Sequence, residues 1–91
     1  MAIASPAEER HSSNEAMVVQ ARRFKIAARL PFLCECSDPE CNHILLLDPG
    51  AWRLACDGGA RTYVTAPNHL VQDASLTIRA AEFWVHETLV A

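Results

Sequence analysis

Three cysteines stand within eight residues, at Cys34, Cys36 and Cys41, in the run Phe32-Leu33-Cys34-Glu35-Cys36-Ser37-Asp38-Pro39-Glu40-Cys41-Asn42-His43. Thiolates at this density suit a soft metal ion, and zinc takes four such donors in a tetrahedron with sulfur at about 2.3 Å. In an extended segment residues i and i+2 share a face, so Cys34 and Cys36 present both sulfurs to one side. Ser37-Asp38-Pro39-Glu40 reads as a turn that folds the chain back and brings Cys41 to that side. A Cys34–Cys36 disulfide would be strained. The fourth donor is open on spacing alone: His43 follows Cys41 by two residues, Cys56 would complete an all-thiolate site, and His69 follows a turn at Ala66-Pro67-Asn68.

Three thiolates and a zinc ion sum to a formal charge of −1, a poor Lewis acid, and a fourth protein donor closes the shell that a catalytic zinc keeps open. The expected role of the metal is therefore structural, and no catalytic constellation is expected. Glu35 and Glu40 flank the thiols and read as solvated acids, while Asp38 is expected to accept from the amides of its own turn. His11 and His86 stand in no recognisable constellation and read as exposed.

The elements that would position the thiols follow from local signals. Ser12 and Glu15 form a capping box and predict a helix over 13–29, with Met17, Ala21, Phe24 and Ala28 as its apolar stripe. Residues 1–12 read as a disordered lead-in and 13–91 as a single zinc-binding domain. Pro31 ends the helix. Residues 32–36 read as extended and Ile44–Leu47 as an apolar strand, together a knuckle hairpin. Asp48-Pro49 starts a short helix, with Asp48 capping and Pro49 in the first helical position, and Gly58-Gly59 ends it. Tyr63–Thr65, Leu76–Arg79 and Phe83–His86 alternate as strands. The fold class is α+β: a long N-terminal helix, the knuckle hairpin, a short helix and a small antiparallel sheet.

The chain has 91 residues, 51% of them apolar, which is one small domain with a limited core and a use for a cross-link. The net charge of −3 disfavours a broad nucleic-acid surface. Arg22, Lys25 and Arg29 would share one face of the long helix, the single basic patch on which a nucleic-acid-binding alternative rests. Met1–Glu9 lacks an apolar stretch of signal-peptide length and does not read as a signal peptide, and no apolar run, Ile44–Leu47 included, exceeds four residues, far short of a membrane span. The expected compartment is cytoplasmic, where thiols stay reduced and clustered cysteines serve metals. Of the aromatic residues, Trp52 and Tyr63 read as core; Phe83 and Trp84 would face opposite ways, leaving one exposed.

The run from Phe32 to Cys41 resembles the signature F-x-C-E-C-x-D-x-x-C of a family of small, uncharacterised bacterial proteins. That family continues with an apolar strand, an aromatic residue in a short helix, and an aromatic strand leading to P-G-H. Ile44–Leu47, Trp52 and Tyr63-Val64-Thr65-Ala66-Pro67-Asn68-His69 fall in those places, and the likeness spans roughly residues 13–88. Asn68 stands where the family has glycine, and both tolerate a left-handed backbone. Ala51 and Cys56 stand where the family has an acid and an arginine. The resemblance implies His69 as fourth ligand, giving Cys34, Cys36, Cys41 and His69 around Zn2+. Such a site would tie the hairpin to the segment after 63–65 across about thirty residues, where a cross-link removes much chain entropy. The resemblance implies no biochemical activity. By elimination the expected function is a protein-interaction or regulatory module, with a metal-dependent hydrolase a remote third reading.

Overall fold

The computed structural model describes residues 5–56 and 61–88. The expected lead-in over residues 1–4 and the helix-ending role of Gly58-Gly59 lie outside them. The first helix, α1, is Pro6–Arg23, so residues 6–12 are helix and not lead-in. Two capping boxes compete here, Ser5-x-x-Glu8 and Ser12-x-x-Glu15. The first prevails because Pro6 follows Ser5 with its φ already set for the first turn, and Glu8 and Glu9 face the positive end of the helix dipole. The Ser5 Oγ accepts from the Glu8 amide at 3.2 Å.

α1 also ends earlier than 29. Lys25 adopts φ 53°. The Ile26 amide then donates to Ala21 O at 2.8 Å and the Lys25 amide to Arg22 O at 3.2 Å, the paired bonds of a Schellman motif. The left-handed position is held by lysine where glycine is usual. The buried stripe is Ala7, Asn14, Val18 and Ala21. Phe24 and Ala28 lie past the helix and are exposed, so they do not extend the stripe.

Strands β1 (Leu30–Leu33) and β2 (Ile44–Leu47) pair antiparallel, with Leu30 opposite Leu47 and Leu33 opposite Ile44. β2 alternates, burying Leu45 and Leu47 and exposing Ile44 and Leu46. Helix α2 (Pro49–Cys56) starts as its sequence implies: Asp48 Oδ1 accepts from the Gly50 amide at 2.7 Å, and the Trp52 amide donates to Asp48 O at 3.1 Å. Strands β3 (Arg61–Thr65), β4 (Ala74–Arg79) and β5 (Trp84–Thr88) form a second antiparallel sheet in the order β3-β5-β4. β4 carries a register shift between Leu76 and Ile78.

One core joins these layers. Val18 of α1, Phe32 of β1, Leu45 and Leu47 of β2, Trp52 of α2 and Val64 and Val85 of the second sheet are all buried within it. Trp52 stacks on Phe32, ring centroids 5.5 Å apart. Tyr63 is buried in a smaller cluster with Ala7 and Val71. Phe83 and Trp84 are both half-buried, and the Arg79 guanidinium lies 5.3 Å from the Trp84 ring, so neither aromatic stands free on the surface.

Candidate metal centre

Residues 34–36 follow β1 and run on toward β3: the Cys34 amide donates to His43 O at 3.1 Å and the Glu35 amide to Val64 O at 2.9 Å. This extended passage places Cys34 and Cys36 on one side, both buried. Asp38 then turns the chain. Its Oδ1 accepts from the Glu40 amide at 3.0 Å, and its carbonyl from the Cys41 amide at 3.1 Å, which carries Cys41 back toward the first two cysteines.

His69 arrives from the other sheet. Ala66-Pro67-Asn68-His69 closes with the His69 amide donating to Ala66 O at 3.2 Å. Pro67 presets its own φ, and Asn68 takes φ 69°, the pattern of a type II turn. The turn is held from behind. Thr65 Oγ1 lies 3.0 Å from Ala66 O, 3.2 Å from His69 O and 2.9 Å from Nε2 of His86. With the hydroxyl proton directed at those carbonyls, Nε2 of His86 is the donor. His86 is therefore a buried strut of the turn, not an exposed residue, and burial lowers its pKa.

The ligand atoms of Cys34, Cys36, Cys41 and His69 all lie within 4.8 Å of one another. Nδ1 of His69 is 3.4 Å from Cys34 Sγ and 3.5 Å from Cys41 Sγ. A tetrahedral zinc with ordinary Zn–S and Zn–N lengths sets its sulfur and nitrogen donors about 3.5 Å apart. The donor set thus fits a metal ion in both chemistry and spacing. Burial pushes the Cys34 thiol up to about 12, against the pull of the Ala66 amide, which donates to its sulfur at 3.2 Å. A buried thiol in that state is neutral until a cation compensates the thiolate, so binding an ion would release protons.

The other two fourth-ligand candidates stand apart. His43 is exposed, its ring centroid 5.5 Å from that of His69, and its imidazole is not among the converging donors. Cys56 is half-buried at the end of α2, where burial pushes its thiol up to about 12, and it too lies outside the cluster.

Glu35, read from sequence as solvated, is fully buried. Lying between Cys34 and Cys36, its side chain points to the opposite side from theirs. There it meets Asn14 Nδ2 at 2.6 Å, Trp52 Nε1 at 3.0 Å, the Val64 amide at 2.9 Å and His11 Nδ1 at 3.0 Å. Glu35 clasps Val64 at two points, donating through its own amide and accepting through its carboxylate. Asn14 does the same to β1, accepting from Leu33 N and donating to Leu33 O, both at 2.9 Å. His11 is not free either: besides Glu35 it touches the rings of Trp52 and Tyr63 at 5.3 and 5.5 Å. Its pKa is raised, chiefly by the hydrogen bond to Glu35. Arg10 completes the helix's contribution, with its guanidinium in the mouth of the 36–41 loop. Arg10 and His11 give no sign of these roles in the sequence because they lie in the part of α1 that reads as lead-in. The Ser5-Pro6 start was the signal that could have found them.

The basic patch does not assemble. Lys25 and Arg29 lie beyond the end of α1, and Arg29 faces Glu82 at 3.7 Å, so Arg22, Lys25 and Arg29 share no helix face. No helix among the described residues is long and apolar enough to cross a membrane. Comparison with protein-family models, curated proteins and solved structures finds no match to this chain.

Proposed function

We propose that Cys34, Cys36, Cys41 and His69 bind one zinc ion whose role is structural, and that the domain it stabilises is a protein-interaction or regulatory module and not an enzyme. The convergence of three sulfurs and one ring nitrogen from two different sheets carries this reading. Four protein donors fill a tetrahedron, and three thiolates quench the Lewis acidity that catalysis needs. The ion would supply a cross-link between the β1–β2 hairpin and the turn after β3. The resemblance of residues 32–41 to the small bacterial zinc proteins supports the same ligand set. A reducing, cytoplasmic setting belongs to the proposal, since the thiols must stay free to ligate. Ile44 and Leu46, exposed on the outer face of β2, supply apolar surface suited to a protein partner. The dispersal of Arg22, Lys25 and Arg29 weighs against nucleic acid.

Native mass spectrometry of protein purified without added metal tests the reading, and one zinc per chain is expected. His69→Ala should lose the ion, while His43→Ala and Cys56→Ser keep it. Structural zinc in small peptides carries an apparent binding energy of about 10–16 kcal/mol that is also folding energy. The His69 variant should therefore lose its cooperative melt as well. A metal-free chain with a cooperative melt equal to that of the zinc-supplemented protein would refute the proposal.

A further inference from the structure

Arg10 is not a ligand candidate, yet its guanidinium makes five contacts in the loop that carries two of the thiols. Nη1 lies 2.9 Å from Cys36 O, 2.7 Å from Asp38 O and 3.7 Å from Cys36 Sγ. Nη2 lies 3.2 Å from Pro39 O and 2.9 Å from Cys41 O. A loop that points four carbonyls inward gathers negative potential at its mouth, beside thiolates of the same sign. The planar fork of arginine can answer several acceptors at once, which a lysine ammonium cannot do in this geometry. With zinc bound, the three thiolates leave the centre at a formal −1, and Arg10 brings the matching positive charge.

Resting on the zinc reading above, we propose that Arg10 is a positioning residue of the metal centre: it holds the Cys36–Cys41 loop closed through its carbonyls and donates to the Cys36 sulfur, so that it governs how tightly and how inertly the ion is held. The N–H···S contact draws electron density from one ligand, and the carbonyl bonds keep Cys41 from swinging outward with its metal bond. Because Arg10 sits on α1, the docking of that helix and retention of the ion are coupled.

The test uses the full chain loaded with zinc, or with cobalt as the spectroscopic probe. Arg10→Ala should release zinc to an excess of a chromophoric chelator about 10- to 100-fold faster than the parent, the range typical for lost partners of metal ligands. Its cobalt form should keep the tetrahedral d–d pattern while the thiolate-to-cobalt charge-transfer band moves to lower energy, because the sulfur has lost a donor. A purely structural role would leave that band in place. Arg10→Lys should release zinc nearly as fast as the alanine variant, and Arg23→Ala, on an exposed part of α1, should match the parent. Release from Arg10→Ala within twofold of the parent, or an unmoved band, overturns the proposal. If Arg10→Ala does not fold, Arg10→Lys decides, and parent-like release from it overturns the proposal. A parent chain that binds neither zinc nor cobalt overturns the zinc reading itself, a separate result.

Discussion

Replacing Glu35 by Ala and by Gln separates the two things this buried carboxylate does. In Glu35→Ala the buried Trp52 Nε1 and Val64 amide lose their acceptor, and each orphaned donor costs about 1–3 kcal/mol. Together that is about 2–6 kcal/mol before any cavity cost, against about 5–15 kcal/mol for a whole domain. Glu35→Ala is therefore expected to melt far lower than the parent at saturating zinc. The Gln variant is the sharper probe. At the Oε2 end the acceptor faces Asn14 Nδ2 and Trp52 Nε1, both fixed donors; at the Oε1 end it faces the Val64 amide and His11. The new NH2 group is least costly at the Oε1 end, since a neutral His11 can change tautomer and accept, leaving the Val64 amide unmatched. Glu35→Gln should thus lose about 1–3 kcal/mol, one orphaned donor's worth. Urea unfolding at saturating zinc, with zinc content measured alongside, reads this directly. A Gln variant within about 0.5 kcal/mol of the parent, the scatter of an ordinary surface substitution, would refute the argument.

His11 has a folded-state pKa raised above its usual 6.5, so its contribution to stability is complete below that value and fades as pH rises through the folded pKa. The cost of His11→Ala, measured by urea unfolding at saturating zinc, should be larger at pH 6 than at pH 8.5, and a cost independent of pH would count against the Glu35 pairing. His86 carries the opposite sign: burial lowers its pKa, so its contribution is complete above 6.5 and fades as pH falls through the folded value, which an NMR titration of its ring can follow. Lys25→Gly should stabilise the domain by about 0.5–1 kcal/mol, because lysine bears about 1–2 kcal/mol of left-handed strain at φ 53° and glycine returns only part of that as lost backbone entropy; a drop in melting temperature would refute the Schellman assignment.

The parts of the structure legible in the sequence are those decided within a few residues. The Cys34–Cys41 turn and the Asp48-Pro49 helix start rest on contacts between near neighbours, and the strand Ile44–Leu47 shows in the sequence as an apolar run, though which of its residues are buried does not. The α+β class follows from them. His69 is a different case. Spacing left it level with His43 and Cys56, and it is the turn fixed by Pro67 and Asn68, braced by Thr65 and His86, that sets its ring against Cys34 and Cys41. Illegible were the interactions that span the chain. Glu35 meets partners 24 residues before it and 29 after it, and a charged residue beside exposed-looking neighbours gives no local sign of such burial. Asn14 breaks the apolar pattern of α1 at a buried position, which drew the stripe onto Phe24 and Ala28 instead. Lysine at the left-handed position hid the end of the helix.

The strand order β3-β5-β4 has a consequence for how the chain is made. The middle strand of that sheet, Trp84–Thr88, is the last one synthesised, so β3 and β4 emerge with no partner between them. At about 5–20 residues per second, the interval from Cys41 to His69 alone lasts roughly 1–6 s, and β5 follows later still. During that time a nascent chain displays three thiols with the fourth donor missing and a Glu35 without the Val64 clasp. A fragment that stops short of Trp84 can hold the β1–β2 hairpin and, once His69 has been added, all four donors, but the sheet that backs the His69 turn closes only after Thr88 has left the ribosome.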